Sequence, residues 1–478
     1  MPDDVSSGSA APEPSSGVPS EGAPLAKGLR TRHLTMMGLG SAIGAGLFLG
    51  SGVGIHTAGP AVLISYMIAG GLVILLMRML AEMATAVPAS GSFSVYAETA
   101  LGRWAGFTMG WLYWFMLIMV LGAEITGASQ IMERWLPGVP AWVFGAAIVV
   151  VFAVVNLAGV RNFGEMEFWF AFIKVAAIVA FLVVGVLLVF GLLPGTEPVG
   201  TEYLLGYGGF APMGIQGIAS ALLVVVFAFG GIEIVTIAAA EARDPQKAVA
   251  KATNTIVWRI LFFYVGSIAI MVTVLPWNSP ALLESPFVAV LDVAGLENAS
   301  RVMEVVVVVA LLSAFNANIY ATSRMMFSLA GRGDAPAVMG RVSRTEVPWT
   351  AVLLSVFFGF VSVFLNYLLP EALLEILLNA VGAALLVIWI FIAVSQLRLR
   401  PRIEAAARES GQPMKLRMWG YPGLTWFTLA ALGGLVLLML TDDVARAQVL
   451  SAAGLTVVIA AIFFARERWR SSSERHAA

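Results

Sequence analysis

The sequence predicts an all-α membrane protein with twelve transmembrane helices, and three observations carry that expectation. Of 478 residues, 59% are hydrophobic and only 12% charged, with a mean hydropathy of +0.89. A soluble domain carries about a quarter charged residues, so this chain has too little polar surface to face water. Its apolar residues are gathered into blocks, among them 147–158, 175–190, 305–314 and 452–465. With their flanks these reach the roughly 20 residues that a spanning helix needs. They are solid runs, unlike the alternating segments of a β-barrel. The third observation is where the basic residues fall.

The N-terminal segment, residues 1–28, is rich in Ser, Pro, Gly and Ala and lacks the basic start and short apolar core of a signal peptide. It reads as a disordered tail. Spans follow at 34–55, 61–84, 105–131, 141–160, 168–193, 215–240, 254–274, 302–327, 350–369, 374–397, 424–440 and 449–465. Of the 28 Lys and Arg, only Arg134, Arg301 and Arg446 fall in odd-numbered loops and Lys174 lies inside a span, leaving 24 on the other side. The positive-inside rule then places both termini in the cytoplasm. A wrong span count would scramble this pattern downstream of the error. There is no cysteine and hence no disulfide framework.

Two spans carry marks of a break. Span one contains Gly38, Gly40, Gly44, Gly46 and Gly50, with Gly44 and Gly46 bracketing one alanine. A glycine costs about 1 kcal/mol in a helix interior, so two so close together invite unwinding. Span six reads Val226-Phe227-Ala228-Phe229-Gly230-Gly231-Ile232-Glu233, a glycine pair beside an acid in an apolar run. Small residues at a helix–helix contact are the alternative for both. The five-span offset favours inverted repeats whose unwound backbone binds the substrate at the midplane. The expected units are a tail at 1–28, repeats at 29–193 and 194–397, peripheral helices eleven and twelve at 398–465, and a tail at 466–478.

Among the ionisable residues in or at the ends of spans, four stand out: Glu124, Lys174, Glu233 and Glu241. Such charges are costly in a bilayer and are functional or paired. For Glu241, at a helix end, a water-facing carboxylate is an equal alternative. The three histidines lie near span ends or in a tail, so a proton relay must use carboxylates and lysine. Removing a lysine from water favours its neutral form, which suits Lys174 to exchanging a proton with alternate sides. Arg78, Glu82 and Arg324 sit at helix ends and read as structural or gating residues. The run Arg398, Arg400, Arg402, Arg408, Lys415 and Arg417 is positive-inside signal that can also meet lipid headgroups.

Several motifs recur in order between about residues 34 and 348. They include Gly44-Ala45-Gly46-Leu47-Phe48, and Glu82-Met83 followed by Pro88-Ala89-Ser90-Gly91-Ser92-Phe93. Further on come Asn156-Leu157-Ala158-Gly159-Val160 with Glu167-Phe168-Trp169 and Ile173-Lys174-Val175, then Gly231-Ile232-Glu233 with Asp244-Pro245. Span eight adds Asn316, Tyr320, Ser323-Arg324-Met325 and Arg332-Gly333-Asp334-Ala335-Pro336. On these the chain resembles the amino acid–polyamine–organocation superfamily and its bacterial amino acid transporter family. Residues 233–241 and 331–340 look most like the γ-aminobutyrate permease branch. A departure is Ala317-Asn318, where many relatives have Asn-Ser. The resemblance implies that Lys174 takes the place of a sodium ion used by other members of the fold.

The expected function is therefore secondary active transport of a small neutral or zwitterionic amino acid such as γ-aminobutyrate, coupled to protons, at the plasma membrane. Exchange, or a proline or cationic substrate, is the alternative within transport; a transporter-like amino acid sensor is the alternative outside it. No continuous polar pore, catalytic set or nucleotide-binding loop supports a channel, an enzyme or a pump. Partners are the amino acid, protons and membrane lipid, with no nucleic acid, cofactor or metal. The substrate carboxylate is expected at the amides of Gly44, Ala45 and Gly46, next to Ile43. Its amino group is expected at carbonyls of Phe227, Ala228, Phe229 and Gly230, with Phe227 or Phe229 as a lid. Glu124, Glu233, Ser313 and Asn316 complete the candidate site, and Lys174, Glu233 and Glu241 the candidate proton path. Lys174 is expected to approach carbonyls near Ala42 and Ile43 and the middle of span eight.

Overall fold

The computed structural model describes residues 43–87, 92–158, 160–234, 236, 246–247, 249–250, 253, 260–344, 346–370, 372–411 and 413–477. Among the described residues the chain is helical, with no strand. Span one is α1 (Ala45–Phe48) and α2 (Gly50–Ala58), followed by α3 (Val62–Ala86). A short α4 (Phe93–Leu101) leads into α5 (Arg103–Trp135), then α6 (Ala141–Leu157) and α7 (Val160–Val189). The second half holds α8 (Gly214–Ala228), α9 (Gly266–Val274, entered through the wider turns of Ile260–Val265), α10 (Ala281–Glu284) and α11 (Pro286–Val293). It continues with α12 (Glu297–Gly331), α13 (Trp349–Leu368), α14 (Leu373–Glu409), α15 (Gly423–Met439) and α16 (Asp443–Ala477). Each of the twelve predicted spans contains helix. Helices close all their backbone hydrogen bonds internally, which is why apolar runs of this length adopt them in lipid.

Burial separates centre from periphery. In α5 the most apolar stretch is 83% buried, and in the last span it is 11% buried. α5 packs along α12 and α14 as a central post, while α8 lies against α2, α3 and α14. The low burial of the last span leaves its apolar surface free to face lipid on most sides.

Two polar clusters tie helix ends on the side of the bundle that carries most of the basic residues. Glu82, fully buried on α3, accepts from Gln396 Nε2 (2.8 Å), from Arg400 Nη1 and from the Met418 amide (2.6 Å). Arg78 donates to the Arg417 carbonyl (2.9 Å) and lies 4.7 Å from the Trp419 ring. In the second cluster Arg332 donates to Glu98 (2.8 Å) and Ser94 (3.0 Å), and Arg103 to Asp334 (3.0 Å). Burial pushes the Asp334 carboxyl up, against the opposing pull of Arg332 and Arg103. Glu82→Ala strips Arg400 of a buried counter-charge, a change that costs about 3–5 kcal/mol. The expected outcome is a clearly lowered thermal midpoint in detergent; an unchanged midpoint excludes a structural role for this cluster.

Candidate functional site

Both predicted breaks are present. Ile43 and Gly44 precede α1 in non-helical conformation, with Gly44 at φ −146° and ψ −144°, and α1 gives way to α2 at Leu49. α8 ends at Ala228 and the chain turns through residues 229–233, where Gly231 has φ +90°, a value that side-chain-bearing residues rarely adopt. The two breaks touch. A Cβ on Gly46 would overlap the Cα of Ala228 and stand 3.1 Å from its nitrogen. Glycine at 46 is thus what lets the two broken segments meet backbone to backbone.

Between them lies a small cavity of about 10 Å³, lined by Gly46, Val120, Glu124, Phe227, Gly230, Gly231 and Asn318. That is room for about one water molecule. The Glu124 carboxylate reaches the break itself: the Ala45 amide donates to its two oxygens at 3.1 and 3.0 Å. A Cβ on Gly44 would overlap Glu124 Oε1, so the glycine opens the approach. On the other side, Glu233 accepts from the Gly231 amide (3.0 Å) and from the Trp389 indole (3.3 Å). Each acid thus accepts from a backbone amide at one of the two breaks.

Of the carbonyls at the second break, that of Phe227 accepts from the Gly230 amide (2.8 Å) and that of Ala228 from the Tyr264 hydroxyl (2.9 Å). Phe227 faces the cavity. Phe229 turns away from it into an aromatic cluster, 4.8 Å from the Tyr264 ring and 5.9 Å from the Tyr66 ring.

Lys174 lies outside the cavity, fully buried on α7. Its ammonium donates to the Ile43 carbonyl at 3.2 Å, in the unwound backbone before α1. Glu167, two turns earlier on the same face of α7, is also fully buried, and its Oε1 is 3.9 Å from Lys174 Nζ. The Ser313 hydroxyl from α12 bridges both Glu167 oxygens at 2.8 and 2.9 Å. Asn156 of α6 donates to Asn316 Oδ1 at 2.8 Å. Ser313 and Asn316 thus stand with Glu167 and Asn156, away from the cavity wall, and α12 contributes Asn318 to that wall instead. Asn318 Nδ2 donates to the Ala314 carbonyl (2.9 Å), and its buried Oδ1 has no hydrogen-bond partner among the described residues.

Two residues that matter here were not singled out in the sequence. Glu167 had a usable signal, the seven-residue spacing that puts it on the Lys174 face of a helix. Asn318 was noticed only as a departure from relatives. Glu241 and Ala42 lie outside the described residues.

A sequence model of the family described as amino acid permease matches residues 33–475. The aromatic amino acid transport protein of Corynebacterium glutamicum is 57% identical over 433 residues, covering 90% of this chain and 92% of that protein. The γ-aminobutyric acid permease of Bacillus subtilis is 45% identical over 456 residues, covering 95% and 96%. Among solved structures, the Eremococcus coleocola manganese transporter superposes with a TM-score of 0.54 at 16% identity, covering 97% of this chain and 99% of that one. That likeness concerns the fold alone.

Proposed function

The chain belongs to the amino acid permease family, whose members are membrane carriers of amino acids, and from that premise we propose proton-coupled uptake of a neutral amino acid. The observation that carries the proposal is the Glu124 carboxylate on the Ala45 amide. A backbone amide freed by the break in span one already holds a carboxylate, so it suits the carboxylate of a substrate. Incoming substrate displaces Glu124, enlarges the cavity and closes it with Phe227. Its ammonium meets the carbonyls at the span-six break and the free oxygen of Asn318. A carboxylate at the Ala45 amide and an ammonium at the span-six carbonyls and Asn318 together describe a zwitterion.

Two substrate classes have support. Of the relatives named for aromatic amino acids, one shares 57% identity and others 38%, and those named for γ-aminobutyrate share 45% and 43%; the 57% match favours the first class. The proposal places the carrier in the plasma membrane with both termini cytoplasmic, supported by the distribution of Lys and Arg, and with spans one to five and six to ten as the two repeats. Counterflow with and without an imposed proton gradient separates symport from exchange.

The test is uptake of radiolabelled phenylalanine, tyrosine, tryptophan, γ-aminobutyrate, proline and lysine in a transport-deficient cell. An aromatic amino acid is expected to be taken up. Transport of lysine alone would overturn the neutral-substrate reading. Glu124→Gln lowers the charge that competes with the substrate carboxylate for Ala45. It is expected to change the apparent affinity by about tenfold, the size of one hydrogen-bond difference of ~1.4 kcal/mol. An unchanged affinity removes Glu124 from the site.

A further inference from the structure

We propose that Glu167 is the group that receives the proton from Lys174 and passes it on toward the cytoplasm. The inference rests on the reading of Lys174 as the proton carrier and extends it to a second residue. Both side chains are fully enclosed, so the lysine cannot hand its proton directly to bulk water. In the present arrangement the ammonium donates to the Ile43 carbonyl (3.2 Å) and stands 3.9 Å from Glu167. That is an ion-pair distance, beyond hydrogen-bond range. Movement of span one away from α7 releases the carbonyl and lets the ammonium close on the carboxylate.

The step is a simple proton transfer. An N–H bond of Lys174 breaks and its electron pair stays on nitrogen; an O–H bond forms on Glu167. Two neutral groups replace two charges, which a low-dielectric enclosure favours. The O–H of Glu167 then breaks in turn, and the proton passes to water.

Ser313 makes both states of Glu167 tolerable. A hydroxyl donates and accepts. It donates to the carboxylate now, bridging both oxygens, and can accept from the protonated acid afterwards. Neither state leaves Glu167 without a partner. Glu167 also lies on the exit side of Lys174: it is seven residues from the start of α7, about 10 Å at 1.5 Å per residue. Asn316, one turn beyond Ser313, joins Asn156 near the end of α6 and continues the polar seam in that direction.

The charged and titratable groups facing Lys174 include Glu167 on its own helix and Glu124 on α5, on both of which its charge acts. From α12 and α6 the seam presents the neutral Ser313, Asn316 and Asn156. Glu124 is occupied at the Ala45 amide and belongs to the substrate cavity, which leaves Glu167 as the acceptor on the exit side.

The test uses the full-length protein in proteoliposomes, with radiolabelled phenylalanine and γ-aminobutyrate as probes, and compares Glu167→Gln, Glu167→Asp and Lys174→Ala with the parent. Glu167→Gln is expected to lose at least about tenfold in accumulation under an inward proton gradient. It should keep substrate counterflow within about twofold, and its residual uptake should no longer follow pH. Accumulation and a pH profile like the parent's would overturn the role of Glu167. If Lys174→Ala fails at the same time, the lysine reading survives that result; if Lys174→Ala also accumulates normally, both fall. Should Glu167→Gln not insert, Glu167→Asp decides: coupled uptake with a displaced pH profile is expected, and an unmoved profile rejects the proposal. An infrared pH titration gives a probe-free measure, since the parent should show a protonated-carboxyl band that is absent from Glu167→Gln.

Discussion

Lys174→Ala is expected to abolish accumulation of substrate against its gradient while leaving substrate able to bind. The ammonium of Lys174 joins α7 to the unwound backbone before α1 through the Ile43 carbonyl, at 3.2 Å. A hydrogen bond to a charged donor is worth about 1.5–3 kcal/mol. Losing it with the proton shifts a two-state equilibrium by roughly tenfold or more. The protonated form thus favours the arrangement seen here, and deprotonation favours release of span one. The sign follows: uptake should rise as external pH falls, because protonation from outside reloads the lysine, and it should collapse with a protonophore. Alanine removes the link and leaves Glu167 enclosed with the neutral Ser313 and Asn316. Arginine keeps the charge but cannot release its proton, so Lys174→Arg should stop the cycle altogether. Concentrative uptake by Lys174→Ala in energised vesicles is the measurement. Parent-like accumulation there makes the lysine a structural partner and moves coupling to the carboxylates.

The second large effect is expected at Gly46. Its missing Cβ is the space that the Ala228 backbone occupies, and backbone on both sides leaves no rotamer to relieve an added methyl. Overpacking of this kind costs about 1–3 kcal/mol. It also forces apart the two broken segments whose freed groups form the site. Gly46→Ala should therefore lose uptake by at least about tenfold, and Gly46→Val should be inactive. Because the contact also joins the two segments, a lower thermal midpoint should accompany the loss. Normal affinity in Gly46→Ala would remove the break in span one from the site.

Much of this was readable in the sequence because it depends on short-range properties. Apolar run length gives the spans, paired glycines mark the breaks, and a lysine in an apolar run stands out wherever it falls. What could not be read was which side chains cross between helices. Glu124 is 79 positions from the Ala45 amide it holds, and nothing local announces that reach. Rotation about a helix axis hid the rest. At about 100° per residue, Asn316 and Asn318 point to nearly opposite sides of α12. One turns to Asn156 and the other to the cavity, so residues adjacent in a motif serve different sites. Phe227 and Phe229 diverge because the helix ends between them, which leaves one on the cavity and turns the other into the Tyr66 and Tyr264 cluster.

The sealed pair of Lys174 and Glu167 also bears on how much substrate a cell can store. In the proposed cycle a single proton crosses with each neutral substrate, so each turnover carries one positive charge through the membrane voltage. One charge falling through 100 mV releases about 2.3 kcal/mol, and each ~1.4 kcal/mol supports a tenfold concentration ratio. The voltage alone then sets a ceiling of about fifty-fold inside over outside for every 100 mV. Raising expression brings the cell to that ceiling sooner without lifting it, whereas depolarisation drains the pool back out through the same carrier.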